Sequence, residues 1–311
     1  MRNATLRQLK VFESVARNQS FSRAAQELHL TQPAVSIQIG KLAGHAGVAL
    51  FEQLGKKIYL TAAGAALLPA SRAIIEQFRQ AEETMAGFKG IRGGRLRISV
   101  ISAGDYFFPQ LLVQFMRRHE GVELDFVVCN REELLQQLAD NLTDLAVMVR
   151  PPVDADTVQH AFAPHPYLIV AAPGHPLAGK KRIAVTRLEG QPFVVRERGS
   201  DTWQSMQQGF GARLEHLHIA MQIRSTETIK QAVMAGMGIS FLSAHTVHRE
   251  LRSGSLVALD VQGFPLRLNW YLVHRVTKQL APVAQAFKNF LVQEGADLIG
   301  KMMDAPRPRR S

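Results

Sequence analysis

Cysteine is almost missing from this chain: Cys129 is the single one among 311 residues. That excludes a disulfide framework and argues against any cysteine-based metal site. Cys129 itself falls in the apolar run "ELDFVVC", where a core position is a plainer reading than a catalytic thiol. Long apolar runs are lacking too. No stretch reaches the ~18–20 residues that a membrane span needs, and the start "MRNATLRQLKVF" has no signal-peptide core, so no membrane association and a cytoplasmic location are expected. Acidic residues are in short supply, 26 against 37 basic ones, a formal net charge of +11. That balance favours an anionic partner such as nucleic acid, an acidic membrane surface or a phosphorylated small molecule. Enzyme signatures are sparse. There is no serine elbow and no Walker sequence, and "AGMGIS" lacks the full glycine pattern of a dinucleotide loop, so it reads as a helix-to-strand turn. His160, His165, His175, His216, His218, His245 and His248 come without carboxylates at ligand spacing. "HLH" at 216–218 would place both rings on one strand face and "HTVH" at 245–248 on one helix face, and each is more simply structural; no metal or cofactor is expected.

What remains is a globular composition, 46% hydrophobic and 20% charged, in a chain long enough for two or three domains. Residues 4–60 read as helical and basic, with helices near 6–18, 21–28 and 31–43. Short β-prone runs at 50–53 and 57–60 then flank Gly55, a small wing with Lys56 and Lys57 at its tip. Thr61 can cap a long helical stretch in which Ile74, Phe78, Ala81, Met85 and Phe88 recur at steps of four and three. That seam is expected to dimerise, with packing onto the chain's own body as the alternative. Pro69 should kink this helix or break it.

Gly90, Gly93 and Gly94 then form a joint, and strands alternate with helices. Strands are expected near 95–101, 123–129, 144–149, 167–172, 193–197, 219–223, 238–242, 256–260 and 267–274, and helices near 106–118, 131–140, 202–210, 227–236 and 280–295. The run "MVRPPVDAD" interrupts the pattern, which suggests a passage into a second lobe with a return near 262–267. Two lobes joined by two crossings leave a cleft, a common place for a ligand. The expected architecture is therefore α+β and multidomain. A winged helix-turn-helix occupies 1–61, and a linker helix and hinge 62–92. A two-lobed α/β domain spans 93–300, with lobe I about 93–163 and 267–300 and lobe II about 164–266. A basic flexible tail follows at 301–311.

The stretch "SFSRAAQELHLTQPAVSIQIGKLA" supports the first of these domains. Phe21, Ala24, Ala25 and Leu28 follow helical spacing behind Ser20 as cap. Thr31 caps the next helix, with Pro33 in its first turn. Val35, Ile39 and Leu42 form one stripe, and Pro33, Ile37 and Gly40 fall opposite it, with Gln32 and Ser36 on the shoulder. A small polar outer face after a tight turn is what major-groove docking needs. Gln32 can pair with adenine, Ser36 can meet a base edge or phosphate, and Ile37 can touch a thymine methyl. Gln38 belongs with this face; Ser20, Ser22, Arg23, Thr31, Lys56 and Lys57 can hold phosphates. An ordinary helical hairpin with solvated polar residues is the alternative.

"LRQLKVFESVARNQSFSRAAQELHLTQPAVSIQIGKL" followed by "LFEQLGKKIYLTAAGAALL" resembles the winged helix-turn-helix of LysR-type transcriptional regulators. "APGHPLA" at 172–178 and "IKQAVMAGMGISFL" at 229–242 are similar to that family's effector-binding domain, which implies a two-lobed fold of the type 2 periplasmic-binding-protein kind. "HLTQPAVSIQI", "LFEQLGKK" and "LAVMVRPP" look most like its CbbR group, which controls carbon-fixation operons. The resemblance implies promoter DNA as partner, RNA polymerase as a further one, a homodimer or homotetramer, and control of Calvin-cycle and RuBisCO genes. It also implies a small anionic effector, a phosphorylated sugar or acid or NADPH. Two departures stand out. Ala43 follows Leu42 where most members are acidic, which is expected to loosen the helix end, and Ile37 stands where many carry Arg. The ligand of the family lies between the lobes. Ser102 just past the first strand, "RERGSDTW" with Arg196, Arg198, Ser200 and Thr202, "STET" at 225–228 and Arg150 at the crossing converge on such a place. From these, Ser102, Arg150, Arg198, Ser200, Thr202 and Thr226 form the expected anion-binding set, arginine suiting phosphate or carboxylate through its planar charged fork. A surface charge is the alternative for each arginine. A cytoplasmic solute-binding protein and an enzyme are the competing functions.

Overall fold

The computed structural model describes residues 1, 3–54, 57–87, 94–153 and 156–304. They fall into two compact units, Met1–Lys89 and Gly90–Ser311.

The first unit opens with α1 (Leu6–Asn18), α2 (Phe21–Glu27) and α3 (Gln32–Ala46). Each start is capped by a hydroxyl: Thr5 accepts from the Gln8 amide at 3.3 Å, Ser20 from Arg23 at 3.3 Å and Thr31 from Ala34 at 3.4 Å. Between α2 and α3, His29 takes a positive φ of 52° and the Leu30 amide reaches back to the Ala25 carbonyl at 2.8 Å, which ends α2 and turns the chain in four residues. Val11, Phe12, Val15, Ala24, Val35 and Leu42 bury the shared core. α1 and α2 are also tied by polar bonds: Arg17 pairs with Glu27, and Asn18 Nδ2 donates to Glu27 Oε2 at 2.6 Å.

Two corrections arise here. The expected loosening after Leu42 does not occur, because α3 runs on to Ala46 and stops at Gly47, whose left-handed φ of 74° lets its amide close on Ala43 and Gly44. Nor does Pro69 break the long helix. β1 (Phe51–Leu54) and β2 (Lys57–Leu60) form the antiparallel wing, and α4 then runs unbroken from Ala62 to Gly87. Leu67 and Leu68 pack on the unit's core and Ser71 is fully buried, so tertiary burial on α1 outweighs the one helical bond that proline forfeits.

The second unit begins with β3 (Gly94–Ile101), a 3-10 turn at Ser102–Tyr106, α5 (Phe108–Arg118), β4 (Val122–Cys129), α6 (Arg131–Ala139) and β5 (Leu145–Met148). β3 pairs in parallel with both β4 and β5. β6 (Thr157–Ala171) follows, then β7 (Pro192–Arg196), α7 (Asp201–Phe210), a 3-10 turn at Gly211–His216, β8 (His218–Ile223), α8 (Thr226–Met234), β9 (Ser240–Ser243), α9 (Ala244–Ser253), β10 (Val257–Ala258), β11 (Leu266–Arg275) and α10 (Pro282–Asp304). The seven-stranded sheet has the order β10-β6-β11-β5-β3-β4, with β9 on β6 as well; β7 and β8 pair in parallel and touch β9 through Phe193 and Ile239.

The two lobes are therefore joined by an antiparallel ribbon. One end of β6 and β11 continues into β5, β3 and β4, the other into β9 and β10, and the ladder slips between Trp270 and Tyr271. β6 starts ten residues before the expected 167, since Pro164 and Pro166 hide its first half. Those prolines are tolerated because β11 is the strand paired with β6 there, while β9 and β10 join only from Tyr167 onward. α9 is missing from the expected helices, although it contains the "HTVH" read as one helix face, and His216 sits in a 3-10 turn rather than sharing a strand with His218. "AGMGIS" is the helix-to-strand turn after α8. Gly238 needs its φ of 149°, and a Cβ there would lie 2.0 Å from the Pro192 carbonyl oxygen.

Candidate functional site

In the first unit α3 presents two faces. Val35, Ile39 and Leu42 are buried, while Thr31, Gln32, Pro33, Ser36, Ile37 and Gly40 are exposed and Gln38 is half-buried. Ile37 is 56% exposed on a helix whose other large apolar side chains are packed away. A Cβ at Gly40 would meet nothing within 4 Å, so this side of the helix is open to an incoming duplex. Ser22 and Arg23 are exposed on α2 and Ser20 is half-buried at its cap; Lys57 is exposed on the wing, and Lys56 lies outside the described residues. On α4, Ile74, Phe78, Ala81 and Met85 are all exposed, an apolar seam left uncovered by the unit's own core; Phe88 lies outside the described residues.

In the second unit Ser102 and Thr226 are brought together by a residue left out of the expected set. Arg196, 4% exposed at the end of β7, donates from Nη1 to Ser102 Oγ at 3.0 Å and to Thr226 Oγ1 at 2.9 Å. Its other edge is held by Glu197, with Nε to Oε2 at 2.8 Å and Nη2 to Oε1 at 3.0 Å. The guanidinium thus links the turn after β3, in one lobe, to the start of α8, in the other. Beside it, Tyr106 donates to Glu227 Oε1 at 2.5 Å, and the buried Lys230 contacts Glu227 at 2.7 Å and Glu250 at 2.8 Å. Burial and the bond to Glu227 push the Tyr106 phenol up, which keeps it a donor.

The remaining expected residues lie apart from this group. Ser200 caps α7, accepting from the Trp203 amide at 3.1 Å and donating to the Glu197 carbonyl at 2.7 Å, so its hydroxyl is committed. Thr202 is buried in α7. Arg198 is exposed, its guanidinium carbon 5.9 Å from the Trp203 ring centre. Arg150 donates to Gln208 and lines a different opening, a cleft of about 730 Å³. Arg196 was hard to select from sequence because residues 193–196 of β7 are buried on both faces, so strand parity does not single it out. Among the described residues no three histidine, cysteine or carboxylate side chains converge as for a metal ion, and no helix is long and apolar enough to cross a membrane.

Two family descriptions match the chain: "Bacterial regulatory helix-turn-helix protein, lysR family" over residues 6–65 and "LysR substrate binding domain" over 89–296. The chain belongs to the LysR family of transcriptional regulators. This LysR-type regulator is 46% identical over 294 residues to a RuBisCO operon transcriptional regulator of Allochromatium vinosum, covering 94% of this chain and 97% of that one. It is 46% identical to the transcriptional regulator CbbR of Rhodospirillum rubrum, covering 92% and 95%. Among solved structures, the Synechocystis CcmR regulatory domain in complex with 2-PG aligns with a TM-score of 0.62 at 36% identity, over 65% of this chain and 97% of that one. As a LysR-type protein the chain is a DNA-binding regulator rather than an enzyme, and its second unit is an effector-binding domain.

Proposed function

We propose that this LysR-type regulator acts in the cytoplasm as a homodimer or homotetramer that binds a partly palindromic promoter of carbon-fixation genes and answers to a small phosphorylated acid. The gene assignment is supported by similarity along nearly the whole chain to regulators named for RuBisCO operons. Gln32, Ser36, Ile37 and Gln38 read base edges, while Ser20, Ser22, Arg23, Thr31, Lys56 and Lys57 hold phosphates. The apolar seam of Ile74, Phe78, Ala81 and Met85 joins two copies.

The observation that carries the effector reading is Arg196, a buried arginine whose Nη1 donates to two hydroxyls from two lobes. An oxyanion taking over those bonds gains charge-assisted hydrogen bonds and binds one lobe arrangement better than another, which is the requirement for a switch. The CcmR domain bound to 2-PG makes that compound the first to try; phosphorylated sugars and NADPH follow. The test is a gel shift on DNA upstream of a RuBisCO operon, at stated salt, with and without 2-PG. Specific binding that 2-PG changes is expected; binding no better than to random DNA would sink the promoter reading, and an unaltered shift would sink the effector reading.

A further inference from the structure

We infer that the regulator has a second anion site, built by Arg131, Arg150 and Arg267, that takes a multiply charged organic phosphate. It goes beyond the effector reading above, since none of Ser102, Arg196 and Thr226 lines it. The cleft of about 730 Å³ has a size suited to a small molecule rather than to a bare ion. Its three arginines come from the start of α6, the segment after β5 and β11. Among the described residues no ion pair joins any of the three to a carboxylate. Arg131 spends Nη2 on the Arg150 carbonyl at 3.2 Å, and its Nε is buried with no partner. Arg150 turns Nη1 to the neutral amide of Gln208. Asp201 is the acid whose charge reaches Arg131 and Arg150, but it is buried, and Oδ2 accepts from the Val149 amide at 3.0 Å.

Three like charges held around one opening repel one another, and an occupant with several negative charges relieves that where a monoanion leaves most of it. Guanidinium forks match phosphate oxygens two at a time. Pro151, Leu268 and Tyr271 supply apolar wall for a carbon skeleton. α6 packs on β3 and β5, and α7, which contributes Gln204 and Gln208, packs on β7 and β9, so an occupant touches both lobes beside the ribbon that joins them. Binding here therefore tunes the lobe angle independently of the Arg196 group.

Titration calorimetry of the full chain with inorganic pyrophosphate tests this. Binding is expected in the Arg196→Gln protein, in which the other arginine cannot take the probe, and is weakened about tenfold or more when Arg267→Gln or Arg131→Gln is added to it. Arg267 is exposed, so its replacement keeps the fold, which an unchanged Tm verifies. The inference is overturned if pyrophosphate does not bind the Arg196→Gln protein, or if neither Arg267→Gln nor Arg131→Gln weakens that binding. The response of the Arg196 group to 2-PG is read separately, so either site can fail without the other.

Discussion

Arg196 and Ser102 are 94 residues apart in sequence and meet through a 3.0 Å hydrogen bond across the two lobes of the effector-binding domain. The same guanidinium nitrogen reaches Thr226, so one side chain ties the turn after β3 to the start of α8. Arg196→Gln should lower affinity for an anionic effector about tenfold or more while leaving operator binding without effector intact. Ser102→Ala should cost less, since it removes one hydrogen-bonding hydroxyl and leaves the guanidinium charge in place. Calorimetry with 2-PG and a parallel gel shift separate the two effects; equal loss of DNA binding in Arg196→Gln would indicate a folding defect instead.

Gln32 and Ile37 should divide the readout of DNA between them. Gln32→Ala should relax preference at one base pair by about 1–3 kcal/mol, while Ile37→Arg should shift preference towards guanine and steepen the salt dependence. Selection from a randomised operator library would reveal both. Unaltered preference in Gln32→Ala would remove that residue from the reading face.

Lys230 is 3% exposed and sits between Glu227 and Glu250. Lys230→Met should destabilise the effector-binding domain by about 3–5 kcal/mol, because Glu250 is left half-covered with its cation gone. Urea unfolding followed by far-UV circular dichroism measures this. A loss below about 1 kcal/mol would mean that the lysine contributes little there.

His245 is buried against Phe107 and Trp270, accepting from Trp270 Nε1 at 3.3 Å, and burial, with the nearby His248 charge adding, holds its pKa down at about 4. The sign follows from which state takes the proton. The unfolded chain protonates near 6.5 and the folded one does not until about 4, so stability falls as pH drops through that window. The loss from this group alone should be about 2 kcal/mol between pH 7 and pH 5. His245→Phe should flatten that slope in urea titrations at the two pH values. An identical slope would place the acid sensitivity elsewhere, with the fully buried His165 next in line.

The helix-turn-helix was legible because its information is local. Caps at Thr5, Ser20 and Thr31 and stripes at helical spacing fix each helix within the chain's own short range, and the exposed remainder of α3 follows by subtraction. Its length was less legible: Gly47 rather than Ala43 ends α3, because the stop is set by which residue can take a left-handed φ. In the second unit the alternation of strands and helices was readable, but the first half of β6 was not. Its prolines resemble a break until the pairing partner is known.

The cluster around Arg196 shows the division most clearly. Residue types and neighbourhoods (a hydroxyl after the first strand, arginines before α7, threonine at the start of α8) are properties of the chain, and they led to Ser102 and Thr226. Which arginine serves them is not. Arg150, Arg196 and Arg198 have the same chemistry and similar sequence settings, yet one is buried between two hydroxyls, one lies in another cleft and one lies exposed near a tryptophan. Only the approach of distant strand and helix ends selects among them, because a hydrogen bond depends on where side chains arrive in space, and periodicity carries no term for that.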